Sequence, residues 1–338
     1  MAVIKDVAKL AGLSVAVVSK YLKDSNSVRP DTRERIEAAI KELNYVPSAA
    51  ARMLRTGQTN LISVVLSNIT NPYFAELFEA IRNEAMKCGY AVILQNVDEF
   101  ADQSMLSSPN FSVPSIIKVD GVIICFPESD ELADMLSQQV GNVPISVLSW
   151  HRMPKLSEGS VILDVKDGIY QSTRHLIQMG HRNFGYIGGH DWSHISREKR
   201  SGFLKALTEA GIEFNDSLEY HGRYRMDTGY QGAEKILKQD KATTAIVAEN
   251  DILAIGCIKY CSQHNLSVPE QVAVTGFDDI SLASMYEPSI TSASHPLDKM
   301  AKAAVQYIAS HYKRAPELEG EQVFKASLVI RNSSSKNA

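Results

Sequence analysis

The sequence predicts a small all-α head followed by a larger α/β body made of two doubly wound halves. Apolar residues recur at helical spacing through the first 45 residues, whereas short apolar runs alternate with helical stripes beyond residue 60. The 338 residues, of which 44% are hydrophobic and 22% charged, suffice for two or three domains. Neither disorder nor a membrane-spanning fold is expected, because no uncharged apolar run of about 18 residues occurs.

Charge is divided unevenly along the chain. Residues 1–60 hold ten Lys and Arg against six Asp and Glu, a net +4, and residues 61–338 hold 25 against 33, a net −8. A basic head attracts polyanions such as nucleic acid. Many solvated surfaces carry a similar charge, so this pattern alone does not establish a nucleic-acid partner.

Two short helices are expected to meet at a tight turn in the head. Apolar residues recur at helical spacing from Ile4 to Ala11, Gly12 interrupts the pattern, and Ser14 is suited to cap a second helix. Pro30 suits the first turn of a third helix. This spacing is typical of a helix-turn-helix unit, whose second helix enters the major groove of DNA. Any small three-helix unit shares the spacing, so a purely structural role stays open.

The outer positions of the second helix are the candidate DNA contacts. They are Ser14, Val15, Ala16, Ser19 and Lys20. A short segment of helix-forming residues follows Pro47, and its Leu54 stands between Arg52 and Arg55. This composition suits an apolar wedge in the minor groove with phosphate contacts beside it. An ordinary linker is the alternative.

The body alternates strands with helices, as a parallel sheet with crossover helices does. Strands are expected over 61–66, 90–95, 121–125, 144–148, 160–163, 184–187, 244–247 and 272–275, and helices over 73–88, 129–139, 167–179, from the 190s to about 210, 229–237 and 251–264. Two halves divided near residue 160 follow from this order. Pro109 and Pro114 forbid a continuous helix over 100–118.

Polar and aromatic side chains gather where several predicted strands end. Ligands of such folds bind outside the carboxyl ends of the strands. Tyr73, Phe74, Trp150 and Tyr224 offer rings for the faces of a sugar or purine, and Asp251 offers a carboxylate for hydroxyl or ring N–H groups. Each of these residues alone also has a structural interpretation, so the prediction rests on their common location.

Catalytic and metal signatures are missing from the sequence. The motifs GxxxxGK[ST], GxSxG and HExxH do not occur. His190 and His194 lie four residues apart without an evident third ligand, and the four cysteines lack the paired spacing of a zinc site. We therefore expect no enzyme activity, no cofactor and no metal. No apolar leader follows Met1, so a cytoplasmic location is expected.

Several segments of the chain resemble a known family. Residues Ile4 to Ala16, Thr32 to Ile36 and Tyr45 to Gly57 resemble the lactose-repressor and galactose-repressor family of bacterial transcription regulators. The periplasmic-binding-protein-like core of that family is similar to Thr70–Phe74, Val119–Ile123, Met179–Arg182, Glu249–Asp251 and Gly276–Asp279.

The resemblance implies a domain organisation and a set of site residues. It implies a DNA-binding domain over 1–46, a hinge helix and linker over 47–60, and an effector-binding and dimerisation core over 61–338. The core would divide into an N-subdomain at about 61–160 and 293–315 and a C-subdomain at about 161–292 and 316–338. Ala51, Leu54 and Arg55 match the hinge helix that enters the minor groove in this family. Effector-contacting positions are matched by Tyr73, Phe74, Trp150, Lys199, Tyr224 and Asp251, with Arg197 as a further candidate.

The implied function is sequence-specific regulation of transcription, as a repressor. A homodimer would read a pseudo-palindromic operator in double-stranded DNA, and a small polar effector, a sugar or sugar derivative, would set its affinity. No membrane partner is expected. Two alternatives stay open: a global regulator controlled by a protein corepressor, and a cytosolic sugar-binding α/β protein.

Overall fold

The computed structural model describes residues 2–45, 57–66, 68–96, 118–127, 138, 142–153, 159–318 and 321–335. Its contacts cluster into two compact units, Met1–Asn60 and Leu61–Ala338. The hinge segment, nearly all of the helix expected over 129–139 and nearly all of the Pro-containing stretch 100–118 lie outside the described residues. None of the described helices combines the length and the hydropathy that crossing a bilayer requires.

Three α-helices lie in the described part of the head, residues 2–45. They are α1 (Ile4–Ala11), α2 (Val15–Lys23) and α3 (Pro30–Glu42), with Ser14 as the N-cap of α2 and Pro30 in the first turn of α3, as the sequence predicts. Their inward faces bury Val7, Ala8, Ala11, Val18, Ile36 and Ala39. The guanidinium of Arg35 on α3 donates to the carbonyl of Ala11 at 2.6 Å. This bond fixes the turn between α1 and α2 against α3.

The first sheet of the body consists of parallel strands. These are β1 (Leu61–Leu66), β2 (Ala91–Asn96), β3 (Gly121–Cys125), β4 (Ile145–Ser149), β5 (Ser160–Asp164) and a late strand, β11 (Gln322–Lys325). Their order in the sheet is β11-β5-β4-β3-β1-β2. Burial of β1 and β3 on both faces explains their continuous apolar sequences.

The second sheet repeats this arrangement with one antiparallel edge strand. Its strands are β6 (Phe184–Gly188), β7 (Glu219–His221), β8 (Ala245–Ala248), β9 (Ala273–Asp278), β10 (Thr291–Ser294) and β12 (Ser327–Val329). The order is β12-β10-β9-β8-β6-β7, and β12 pairs antiparallel with β10. In each sheet the next two strands of the chain lie on opposite sides of the first strand, which is β1 in one sheet and β6 in the other. Ligands of such sheets bind in the crevice where the strand order reverses in this way.

Seven described helices belong to the body. They are α4 (Pro72–Lys87), α5 (Val165–Gln178), α6 (His194–Glu209), α7 (Met226–Gln239), α8 (Asp251–Gln263), α9 (Ser281–Met285) and α10 (Leu297–His311). Helix α4 packs against α10 beside the first sheet, and α5 packs against α6.

The boundary between the two halves differs from the expected one. The sequence places residues 161–292 and 316–338 in the second half, yet β5 continues through Asp164 in the first sheet, and Gln322–Lys325 also pairs there. The reason is pairing: the buried run of β5 hydrogen-bonds to β4 on one side and to β11 on the other. The chain therefore crosses between the halves after β5, after β10 and after β11.

Helices α7 and α8 approach each other backbone to backbone. A Cβ atom added at Gly256 would lie 2.1 Å from the carbonyl oxygen of Met226 and 2.8 Å from the backbone nitrogen of Tyr230. Gly229 on α7 is equally close to the carbonyl oxygen of Leu253. Because backbone atoms cannot move aside as flexible side chains do, only glycine fits at this crossing.

We expect Gly256→Ala to lower the free energy of unfolding of the body by about 1 to 3 kcal/mol, because the added methyl group forces the two helices apart. Urea or thermal unfolding followed by circular dichroism measures the change. Lys259→Ala, on the exposed face of α8, serves as the control and should stay within about 0.5 kcal/mol of the parent. Alanine favours a helix over glycine by about 1 kcal/mol, so a more stable Gly256→Ala would contradict the packing argument.

Candidate nucleic-acid interface and ligand pocket

The first turns of α2 present a small exposed face. Ser14 caps this helix, its side-chain oxygen accepting from the backbone N–H of Val17 at 3.4 Å. Val15, Ala16 and Lys20 are exposed, and Ser19 is half-buried. Small side chains at a helix N-terminus allow close approach to a duplex, and the positive end of the helix favours phosphate. Four of the five positions predicted on this helix are therefore accessible, and the fifth is partly so.

A polar cluster fixes α2 against α3. The hydroxyl of Tyr21 donates to Glu37 at 3.0 Å, and the Nε atom of Arg33 donates to the same carboxylate oxygen at 2.8 Å. The hydrogen bond from Arg33, followed by that from Tyr21, holds the pKa of Glu37 below its ordinary value. The cluster therefore holds the C-terminal part of α2 against α3 and leaves the N-terminal turn of α2 exposed. Ala51, Leu54 and Arg55, the predicted hinge contacts, lie outside the described residues.

A pocket opens within the body where residues from both sheets meet. Its open space of about 420 Å³ includes the solvent at its mouth. The described residues that line it are Asn71, Tyr73, Phe74, Phe126, Trp150, Ile195, Lys199, Tyr224, Asn250 and Asp278.

Aromatic side chains form one wall of the pocket. Phe126 stacks on Trp150 with ring centroids 3.8 Å apart, and Tyr73 meets Phe74 edge to face at 5.5 Å. The Tyr73 hydroxyl and the Trp150 indole N–H are buried and have no hydrogen-bond partner among the described residues. A buried polar group without a partner costs free energy, so these two groups favour a ligand that supplies one.

Asp278 brings a carboxylate to the pocket at the end of β9. Its backbone has φ +100°, and that of Asp279 has φ +54°, so two successive residues adopt left-handed conformations. Asp251 stands behind this turn and holds it: its carboxylate accepts from the backbone N–H of Ile280 at 2.9 Å and from the hydroxyl of Ser292 at 2.6 Å. Burial raises the pKa of Asp278 to about 7, and the nearby Lys199 ammonium opposes that rise.

Glu249 organises the opposite wall. Its buried carboxylate accepts hydrogen bonds from the hydroxyls of Tyr186, Ser196 and Tyr224 at 2.6 to 2.7 Å and from the N–H of Gly189 at 3.0 Å. These donors come from β6, from α6 and from the segment before α7. The orientation of the Tyr224 ring is consequently set by a group that does not itself line the pocket.

Lys199 is buried, at 3% exposure, and its ammonium has specific partners. The Nζ atom donates to the carbonyl oxygen of Glu249 at 2.8 Å and lies 4.1 Å from the ring centroid of Phe277. A backbone carbonyl and an aromatic face together stabilise the buried cation.

Comparison with known proteins assigns the chain to a family. Residues 3–48 match the family described as "Bacterial regulatory proteins, lacI family", and residues 173–334 match a "Periplasmic binding protein-like domain". The HTH-type transcriptional repressor PurR of Erwinia tasmaniensis is 34% identical over 305 residues, covering 90% of this chain and 88% of that protein. The chain belongs to the lacI family of bacterial regulatory proteins. It is a DNA-binding transcriptional repressor of this family, so the family resemblance seen in the sequence is confirmed.

Solved structures of lacI-family regulators share the whole architecture. The structure of the Lac repressor dimer bound to operator and the anti-inducer ONPF matches with a TM-score of 0.82 at 26% identity, covering 98% of this chain and 99% of that one. A complex of the transcriptional regulator CelR with cellobiose matches with a TM-score of 0.69 at 26% identity, covering 99% and 100%. The predicted helical head with two α/β parallel-sheet subdomains is thus confirmed.

The pocket contains five of the seven effector-contacting residues expected in this lacI-family chain. Tyr73, Phe74, Trp150, Lys199 and Tyr224 line it. Asp251 does not, because it is fully buried and its carboxylate holds the turn after β9. Arg197 does not either, since its guanidinium donates to the carbonyl of Trp192 at 2.5 Å.

Sequence reasoning missed five lining residues: Asn71, Phe126, Ile195, Asn250 and Asp278. Most of them carried a usable signal: Asn71 belongs to the segment Thr70–Phe74 that resembles the family, and Phe126 directly follows the strand expected over 121–125. Asn250 directly precedes Asp251, and Asp278 belongs to the segment Gly276–Asp279 that resembles the family. The two histidines spaced four residues apart contact other rings: that of His194 faces His151 at 4.5 Å, and that of His190 stacks on Trp192. No group of three potential metal ligands occurs within the described residues.

We expect Asp278→Asn to raise the melting temperature of the body by a few degrees at pH 8. The pKa of Asp278 in the folded protein, about 7, lies above its ordinary value, so the cost of burying this carboxyl grows as the pH rises from that ordinary value to about 7 and is fully present above it. The difference between variant and parent should shrink as the pH falls towards 5, where the buried carboxyl is neutral. Asparagine tolerates the left-handed backbone at this position.

Differential scanning calorimetry at pH 8 and pH 5 measures this effect. Glu213→Gln, which changes an exposed carboxylate in the same half, is the matched control and should leave the melting temperature unchanged at both values. A destabilised Asp278→Asn at pH 8 would show that the carboxylate supports the fold.

Proposed function

We propose that this repressor binds a small polar effector in the pocket and that occupancy of the pocket sets its affinity for the operator. The observation that carries the proposal is the pair of buried, unpartnered donors, Tyr73 and Trp150, in a pocket that also contains Asp278. An interior of this polarity suits a ligand with its own hydrogen-bonding groups.

The effector we favour is a sugar or sugar derivative. Aromatic faces pack against the C–H face of a sugar ring, while Asp278, Asn71 and Asn250 suit its hydroxyl groups. The similar regulator CelR, described as a complex with cellobiose, supports this choice. A planar nitrogen heterocycle is the second candidate, because the Phe126–Trp150 stack offers a flat aromatic surface.

We further propose that the protein acts on DNA as a homodimer. The operator-bound dimer of the similar Lac repressor supports this arrangement. Two heads would read the half-sites of a pseudo-palindromic operator through the residues of α2, and Leu54 of each chain would enter the minor groove with Ala51 and Arg55 beside it. The proposed major-groove contacts are Ser14, Val15, Ala16, Ser19 and Lys20.

Effector control follows from the construction of the body. A ligand bound between the two sheets favours one relative orientation of the halves and thereby shifts the population of the DNA-binding state. Couplings of this kind are worth about 1 to 3 kcal/mol, or about 5- to 150-fold in affinity. A protein corepressor would instead act without any ligand in the pocket.

Lys20→Ala should reduce discrimination between half-site sequences on the order of tenfold, because the ammonium can donate to guanine acceptors in the major groove. Operators are first selected by the parent protein from a pool of pseudo-palindromic duplexes. Gel shifts on the selected duplex and on single-base variants at several salt concentrations then give the discrimination.

Lys41→Ala, which removes the same charge from the exposed face of α3, is the control and should leave discrimination intact. If Lys20→Ala loses affinity equally for every sequence, Lys20 contacts a phosphate rather than a base. Failure of the parent to select any duplex at low salt would overturn the proposed operator recognition.

Tyr73→Phe should weaken effector binding about 2- to 10-fold, the value of one neutral hydrogen bond. Calorimetry on sugars, sugar phosphates and purines identifies compounds that bind, and gel shifts show which of them change operator affinity. Tyr220→Phe is the matched control, since the Tyr220 hydroxyl donates to Gln231 on the surface. If no compound alters operator affinity, the protein-corepressor alternative replaces the proposed effector.

A further inference from the structure

The lining of the pocket carries one cation and one anion. Among the described lining residues these are Lys199 and Asp278. A second carboxylate, that of Glu249, lies fully buried directly behind the lining and contacts Tyr224. With Asp278 ionised, two carboxylates stand against one ammonium, so the field inside the pocket is negative.

The ammonium of Lys199, the one cation among the described lining residues, already interacts with groups of the protein. Lys199 donates to the backbone carbonyl of Glu249 at 2.8 Å and rests against the face of Phe277. An incoming anion would have to compete with both partners. Lysine also lacks the planar fork with which arginine binds a phosphate through two hydrogen bonds.

The arginines near the pocket walls are paired elsewhere. Arg197 donates to the carbonyl of Trp192, Arg200 binds Glu219 at 2.7 Å and Asp216 at 2.8 Å, and Arg331 binds Asp279 at 2.6 Å. Each guanidinium therefore already has an acceptor on the protein.

Two of the helices that begin at the pocket, α4 and α8, have a backbone N–H of the first turn capped by a side chain. A helix N-terminus binds phosphate through its unpaired backbone N–H groups. At α4 the side chain of Asn71 accepts from the N–H of Tyr73 at 3.2 Å, and at α8 that of Asn250 accepts from the N–H of Leu253 at 2.9 Å. Both capping residues line the pocket, so their oxygens occupy the place where an anion would sit.

We propose that the pocket selects an uncharged or cationic effector and rejects phosphorylated and other anionic compounds. This inference rests on the proposed function, since it concerns the effector of the same pocket. It narrows the chemistry to a free sugar, an amino sugar or a neutral heterocycle. The donors of such a ligand would bind Asp278, and its acceptors would bind Tyr73 and Trp150.

The rejection of anionic effectors by the pocket depends on pH. Asp278 is ionised above about pH 7 and neutral below it, so the negative field weakens in mild acid. The titratable and charged groups around it are Tyr73, Glu76, Lys199, Asp251, Asp279 and His295. Burial, followed by the charge of Lys199, lowers the pKa of His295 to about 3, and this ring consequently stays neutral across the tested range.

Fluorescence quenching of Trp150 tests the field without knowledge of the effector. The chain has two tryptophans, so Trp192→Phe leaves Trp150 as the sole indole emitter. Iodide, caesium and acrylamide serve as anionic, cationic and neutral quenchers at constant ionic strength. At pH 8 caesium should quench more efficiently than iodide, relative to the same ions on free tryptophan.

Asp278→Asn in this background should raise iodide quenching several-fold and leave acrylamide quenching unchanged, because charge changes while access does not. A fall from pH 8 to pH 6 should act in the same direction. Glu213→Gln is the control and should change neither quencher. Equal quenching by iodide and caesium, or iodide quenching unaffected by Asp278→Asn, overturns the proposal.

Matched ligand pairs provide the second arm. Calorimetry at pH 8 compares glucose with glucose 6-phosphate, ribose with ribose 5-phosphate, and adenosine with AMP. A phosphorylated member should bind on the order of tenfold more weakly than its neutral counterpart. Tighter binding of the phosphorylated member, lost in Lys199→Met, overturns the proposal.

The two arms separate this proposal from the proposed function. If no small molecule changes operator affinity, effector control fails, while the quenching of Trp150 still decides whether the pocket excludes anions. If effector control holds and iodide quenches freely, the charge selectivity alone is wrong.

Discussion

The carboxylate of Glu249 is the interaction on which the second wall of the pocket depends. It is fully buried and accepts four hydrogen bonds, from Tyr186, Gly189, Ser196 and Tyr224. An ionised carboxylate in the interior is tolerated only when its oxygens are satisfied in this way. Because the donors come from different elements, the group also fixes those elements relative to one another. The backbone carbonyl of Glu249 accepts a hydrogen bond from Lys199. Glu249 therefore positions the Tyr224 ring through its side chain and the Lys199 ammonium through its main chain.

The neighbouring carboxyl groups of Asp251 and Asp278 have different roles because their hydrogen-bond partners differ. Asp251 accepts from Ile280 and Ser292 and is closed off from the pocket, whereas Asp278 faces the pocket at a strained turn. Burial, followed by the neighbouring Asp278, raises the pKa of Asp251 well above its ordinary value. The buried acid thus supports the left-handed backbone that presents the second acid. Residue type alone could not distinguish these roles.

The head was predictable because its information is local. Helical spacing, the break at Gly12, the cap at Ser14 and the position of Pro30 each act within a few residues, and α1 ends and α2 and α3 begin where these signals place them. The body was predictable where strands are continuous apolar runs, but β11 and β12 are short and only partly apolar. Their places in the two sheets depend on pairing with distant strands, which a local pattern does not encode.

The pocket was predictable for aromatic residues and much less so for polar ones. Tyr73, Phe74 and Trp150 follow recognisable strands, so topology brings them together. Phe126 was missed although it directly follows β3, as Trp150 directly follows β4; its left-handed backbone, with φ +54°, is a feature that the sequence does not show. Asn250 and Asp251 are adjacent in sequence, and only the three-dimensional arrangement shows that Asn250 lines the pocket while Asp251 turns away from it.

The three crossings between the halves have a consequence for how the body folds. In the first sheet, Gln322 of β11 pairs with Val161 of β5. In the second sheet, Thr291 of β10 pairs with Thr275 of β9, and β12 joins this sheet after the last crossing. Neither half is a contiguous piece of chain, so neither can complete its sheet during synthesis before the last strands emerge. Closing such long loops slows folding, and it leaves the edge of β5 uncovered until β11 arrives. Both sheets are therefore complete only when the last strands, β11 and β12, are present.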